Sequence, residues 1–183
     1  MDMLDNIKLS LDNNENLSED VRNNIFELVI LFNQKFPTVK LDNLNERLKT
    51  IKIQKTSKFI NKDVSMYDFR NNIIYFNLSE VKKGYDMKHV LMYELINVIS
   101  STHYQMGFNA NNQFEALNTG YTEILANYVT PNESEKMLYP KEAIEANLIA
   151  TMIGSDSLFN SYFNNDARML VNCFVNAGVQ IWV

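Results

Sequence analysis

The chain has 183 residues, 46% of them apolar and 21% charged, and a net charge of −5. This length suffices for one domain with a hydrophobic core, and the composition is that of an ordinary globular protein. The lysines form no basic stripe, which argues against binding nucleic acid through its phosphates. No apolar stretch approaches the roughly 18 residues of a membrane span, which argues against insertion in a membrane.

The cysteine content and the N-terminus bear on the compartment. Cys173 is the only cysteine, so an internal disulfide is excluded and a reducing environment is favoured. The first twenty residues lack the cationic start and apolar run of a signal peptide. We therefore expect a cytoplasmic protein.

The N-terminal third is expected to be mainly helical. Residues 1–16 are polar and rich in asparagine, which predicts a flexible lead-in to a single domain over residues 17–183. Ser18 is placed to cap a helix that runs to about Phe36, before Pro37. Residues 41–48 predict one or two further helical turns.

Two short strands are expected next. Residues 51–55 alternate between apolar and polar side chains, and residues 72–77 form a second β-prone run after a polar loop. Gly84 interrupts regular structure, and an apolar helix is predicted after it from Asp86 to Ser101.

The remaining chain predicts mostly helices and therefore an α+β fold. We expect them at about 114–129, 140–154, 157–163 and 166–176, from their apolar periodicity and their Pro and Gly boundaries. The apolar tail Val179 to Val183 is expected to form a short strand or a docking segment.

Glu94 is the anomaly of this pattern. In a helix with about 100° per residue, Met87, Val90 and Val98 lie within about 60° of it, on a stripe that should face the core. An ionised carboxylate there must be paired, hydrogen-bonded or bound to a metal. Tyr93 and Asn97 flank it on the same arc.

The layout over residues 18–165 resembles a small zincin, the metallopeptidase fold built around a helix bearing His-Glu-x-x-His. The segment 93–97, YELIN, aligns with that motif. The glutamate corresponds to Glu94, whereas Tyr93 and Asn97 replace the two histidine ligands. The resemblance implies a small N-terminal sheet with a helix, followed by a mainly helical C-terminal part.

The second helix carries the rest of the resemblance. In the glutamate-liganded branch it opens with a pattern like Asn-Glu-Gly-x-Thr-Glu, and residues 118–123 read NTGYTE. Thr119 then occupies the position of the third ligand and Glu123 that of an acid that braces a histidine, with Asn118 beside them. Tyr93, Asn97 and Thr119 are poor zinc ligands, so the resemblance implies a pseudoenzyme that holds no metal and no other cofactor.

Two other interpretations of these residues stay open. In the first, Glu94 is simply a core carboxylate, and Asn97 and Asn118 hydrogen-bond directly across the two helices. A shifted metal site from His89, Glu94 and either Glu115 or Glu123 is the other interpretation. His89 lies about 140° around the helix from Glu94, which argues against shared ligation.

The leading functional hypothesis is a non-catalytic zincin-like module that binds another protein. The strand with Ile73, Ile74, Tyr75 and Phe76 is expected to be the edge of the sheet and the recognition surface, through strand addition. The alternatives are a structural subunit of a larger assembly, of phage or mobile-element type, and a metallopeptidase with an atypical metal site.

Overall fold

The fold is known from a computed structural model, which describes residues 2–57, 63–109 and 113–181. It is α+β and mostly helical, with one small mixed sheet. The described helices are α1 (Met3–Asp12), α2 (Glu19–Lys35), α3 (Asp42–Leu48), α4 (Leu78–Val81), α5 (Met87–Ile99), α6 (Glu115–Val129), α7 (Pro140–Ile153), α8 (Ser155–Phe163) and α9 (Ala167–Ile181). The described strands are β1 (Lys52–Thr56), β2 (Ser65–Asp68) and β3 (Ile73–Asn77).

The N-terminus differs from the expected lead-in. Residues 3–12 form α1, whose Ile7 and Leu11 are fully buried. Ser10 donates a hydrogen bond to Asn45 of α3, and Asn14 donates to two backbone carbonyls at the end of α3 and the start of β1. The prediction of a flexible segment over residues 1–16 was wrong because two apolar side chains and two buried polar contacts dock this helix.

The sheet corrects the expected position of the recognition strand. Its order is β1-β3-β2, with β1 parallel and β2 antiparallel to β3. The strand with Ile73, Ile74, Tyr75 and Phe76 is therefore central and has a partner on each side. Both of its edges are already paired, so a strand from another protein cannot add to it. The prediction that it forms the binding edge was therefore wrong.

Strand β2 was expected to be loop, because it has only four residues within a polar stretch. Its buried side chains alternate with more exposed ones, which is the pattern of a half-buried strand. As the antiparallel edge strand, β2 is also the strand that contacts α5.

Helix α5 is enclosed on nearly all sides. From His89 to Ile99 only Leu91 is partly exposed. The helix is therefore buried on nearly all faces, and not only on the one apolar stripe that was expected. Asp86 accepts hydrogen bonds from two backbone N–H groups at the start of α5, and Asn43 of α3 donates to two carbonyls at its end. Both ends of the helix are thus fixed by side chains.

The C-terminal helices lie near their expected positions. Helix α9 continues through Val179 to Ile181, so these residues do not form the expected strand. The remainder of the tail, Trp182 and Val183, lies outside the described residues. No helix in the described ranges combines the length and apolar character needed to cross a membrane.

Gly120 sets the distance between α6 and α7. A Cβ at this position would overlap the backbone carbonyl of Glu142 on α7. Backbone atoms cannot move aside as a flexible side chain can, so only glycine allows this contact.

We expect Gly120→Ala to lower the free energy of unfolding by about 1–3 kcal/mol, because overpacking outweighs the gain in helix propensity. Urea unfolding measures this. The comparison is Gly84→Ala, where a Cβ meets no neighbour and only the left-handed backbone conformation is strained, at about 1 kcal/mol. A Gly120→Ala protein as stable as the unsubstituted chain would contradict the close helix contact.

Candidate functional site

The carboxylate of Glu94 lies fully buried between α5 and β2. Ser65 of β2 donates a hydrogen bond to Oε1 at 2.5 Å, and Asn97 donates to Oε2 at 3.1 Å. Two protein donors therefore replace part of the water that this group loses on burial.

Burial is also the main influence on the protonation of Glu94. It raises the pKa to about 7, against the opposing effect of the hydrogen bonds from Ser65 and Asn97. The carboxyl group consequently changes charge near neutral pH, far above the range of an exposed glutamate.

Tyr93, another aligned position, also makes its contacts within the protein. It is buried, and its ring packs on Tyr139, with centroids 5.3 Å apart. Burial raises the pKa of Tyr93 well above its ordinary value, and the nearby side chain of Thr119 on α6 opposes this effect. The phenol therefore keeps its proton.

A chain of hydroxyl groups extends this polar interior away from Glu94. Thr122 Oγ1 lies 3.4 Å from Asn97 Oδ1 and 2.6 Å from the hydroxyl of Tyr162, and Ser100 donates to that hydroxyl. Burial raises the pKa of Tyr162 to about 12, so its hydroxyl keeps its proton. The network joins α5, α6 and α8.

Asn118 does not make the expected bond to Asn97. Its side-chain oxygen accepts a hydrogen bond from the backbone N–H of Phe108, in the loop that follows α5. A Cβ at Gly107 would overlap that same oxygen, which explains the glycine with positive φ beside it. Asn118 holds a loop in place, and the contact from Asn97 to α6 goes to Thr122.

Glu123 belongs to a second buried network. Both of its oxygens lie 3.1 Å from His89 Nε2, and His89 Nδ1 lies 2.8 Å from the carbonyl oxygen of Thr130. Both side chains are 1% exposed. Glu94 and Glu123 are therefore buried on neighbouring helices, but they do not share a partner.

The pKa of His89 results from opposing effects. Burial lowers it, but the hydrogen bond and negative charge of Glu123, together with the Thr130 carbonyl, raise it above the ordinary value. The charged imidazole donates from both nitrogens, which suits its two acceptors. Because the pKa of His89 is raised in the folded state, this pair contributes its full stabilisation just below the ordinary histidine pKa of 6.5, and the contribution is lost as the pH rises through the pKa of His89 in the folded protein.

The donors present do not fit a catalytic zinc site. Such a site needs three ligands from His, Asp, Glu or Cys, whereas Tyr93, Asn97 and Thr119 supply a phenol, an amide and a hydroxyl. Within the described residues, no cluster of three or more His, Cys, Asp or Glu side chains is placed to hold a metal. His89 and Glu123 meet, but Glu94 lies in the other network and Glu115 is exposed.

Sequence reasoning missed several members of these networks. Ser65 was hidden by the unrecognised strand, although the β-prone run Val64 to Tyr67 was a signal for it. Tyr162 lies in the helix that was expected at about 157–163, but nothing in the sequence indicated its place in the network. Throughout the described ranges every buried side-chain nitrogen and oxygen has a hydrogen-bond partner.

Comparisons with known proteins return no relative. The chain matches no protein-family model, and neither curated proteins nor solved structures include a significant match.

The titration of Glu94 generates a prediction about Glu94→Gln. Between its unfolded pKa of 4.5 and its native pKa of about 7, the native state binds the extra proton, so Glu94 makes the protein less stable as the pH rises. The free energy of unfolding of Glu94→Gln, relative to that of the unsubstituted chain, should increase by about 2 kcal/mol from pH 5 to pH 8. Urea unfolding across this range measures the difference.

The exposed Glu115→Gln serves as the control for this series, because it makes the same substitution at a carboxylate on the surface. A difference between Glu94→Gln and the unsubstituted chain that is the same at pH 5 and pH 8 would contradict a buried, proton-binding Glu94.

The second network predicts that Glu123→Gln lowers the pKa of His89, because the negative charge that favours the imidazolium is removed. An NMR titration of the imidazole measures the shift, with Glu115→Gln as the control. An unchanged His89 titration would show that Glu123 does not stabilise the charged ring.

Proposed function

We propose that the protein is a non-catalytic, zincin-like module that acts by binding another protein. The non-catalytic part is supported by the chemistry of the aligned positions. Tyr93, Asn97 and Thr119 offer no ligand set for zinc. The carboxylate of the buried Glu94 accepts hydrogen bonds from protein donors.

The proposal that the protein binds another protein rests on one observation on α7. Its inner face buries Ala146 and Ala150 and packs Ile149 and Ile153 against the core. Three further large apolar side chains point outward: Ile144, Leu148 and Met152 are 65%, 60% and 57% exposed. A helix of an isolated globular protein normally carries polar residues on its outer face, so this second apolar face is unusual.

The spacing of these side chains suits a protein partner. They recur every four residues, so they form one ridge along the helix, the pattern with which a helix enters an apolar groove. Single exposed apolar residues are common, but a continuous row of large ones marks an interaction surface. Helix α9, which contacts α7, exposes Val171 and Val175 as well.

The alternative of a structural subunit uses the same face. If a second copy covered the ridge, the mass of the protein in solution would rise from 21.3 kDa towards twice that value with concentration. Light scattering after size exclusion distinguishes this from a monomer that binds a different protein.

The test is a triple variant, Ile144→Ser, Leu148→Ser and Met152→Ser. The fold should be retained, because these side chains contribute little to the core. A partner isolated from the source cell is purified and its affinity for the chain is measured. The triple variant should bind it at least about 100-fold more weakly, because large apolar anchors dominate such interfaces.

The matched control replaces three apolar residues that are exposed elsewhere, by Leu9→Ser, Met66→Ser and Tyr104→Ser. It should bind like the unsubstituted chain. If the α7 variant keeps full affinity, or the control loses as much, α7 is not the binding surface. Peptide hydrolysis that Glu94→Gln abolishes would contradict the non-catalytic assignment.

A further inference from the structure

A second feature is a cavity of about 660 Å³ between α2, β1, α4 and α5. This volume is within the usual range of sites for small molecules. Its walls are mainly apolar and include Leu28, Ile53, Phe76 and Leu91. Leu91 is the one residue of α5 from His89 to Ile99 that is not buried, and it faces this space.

The net charge of the side chains that line the cavity is positive, whereas that of the whole chain is negative. The chain as a whole carries −5, yet the lining contains Lys55, Lys82 and Lys88 against a single acid, Glu27. The three lysines are exposed, so they lie where the cavity meets solvent. In the described ranges no ion pair engages any of them.

These lysines come together through the topology. Lys55 is near the end of β1, which runs parallel to β3, and β3 leads directly into α4. Lys82 follows α4, and Lys88 is in the first turn of α5. Three separate parts of the fold thus place positive charge around one apolar cavity. Three unpaired like charges repel one another, and an anion between them relieves that repulsion.

We propose that this cavity binds a small amphipathic anion, a carboxylate with a single unbranched acyl chain. The chain occupies the apolar interior and the carboxylate lies among the lysines. This assignment uses both properties of the site, because a neutral apolar ligand would leave the lysines unpaired and a simple anion would leave the apolar walls exposed to water.

The experiment uses the full-length protein and sodium decanoate, below its micelle concentration, in isothermal titration calorimetry. Acetate tests the carboxylate without the chain, and decanol tests the chain without the charge. We expect saturable binding of decanoate with one site, binding of decanol at least tenfold weaker, and no measurable binding of acetate.

The double variant Lys82→Gln and Lys88→Gln should weaken decanoate binding roughly tenfold while its thermal midpoint stays unchanged, since both lysines are exposed. Lys40→Gln, an exposed lysine outside the cavity, is the matched control and should bind normally. A second variant, Val81→Trp, fills the cavity from α4 and should reduce the affinity for decanoate and decanol alike.

Four results would overturn the proposal. Decanoate that does not saturate shows that the cavity is not such a site. Equal affinities for decanoate and decanol, or a lysine double variant that binds like the Lys40→Gln control, show that the lysines do not recognise an anion. Binding of an acidic apolar peptide in the absence of decanoate binding would assign the cavity to a protein partner instead.

Discussion

The buried carboxylate of Glu94 is the constraint on which the centre of this fold depends. An acid in an apolar helix must find partners, and here they come from Asn97 on α5 itself and from Ser65 on β2. The same contacts that satisfy the carboxylate therefore attach the edge strand to the central helix. The short strand β2 has few residues with which to hold itself in place, so this attachment positions one edge of the sheet.

Buried polar side chains hold the two central helices together. Asn97 contacts Thr122 and so connects α5 with α6, and His89 with Glu123 forms a second connection between the same helices. Each of these links is between protein groups and lies away from solvent. The two surfaces that we propose for binding other molecules lie elsewhere, on α7 and at the lysine-rimmed cavity.

Local sequence patterns predicted the long helices well, because their periodicity and their Pro and Gly boundaries act over a few residues. They failed for α1 and β2, where only Ile7 and Leu11, or a four-residue run, carry the signal. Strand order is a non-local property, so the sequence offered no means of placing β3 at the centre. Glu94 was recognisable because a charge in an apolar helix is anomalous, but its partner Ser65 is 29 residues away and only the fold brings it close.

The most direct test of the central claim is the zinc content of the chain after equilibrium dialysis against zinc, with protein purified without a histidine tag or chelator. If protein donors satisfy Glu94 and the aligned positions cannot ligate, the protein retains less than about 0.1 equivalent of zinc. About one tightly held equivalent, lost in Glu94→Gln, would show that these residues form a metal site and would contradict the account.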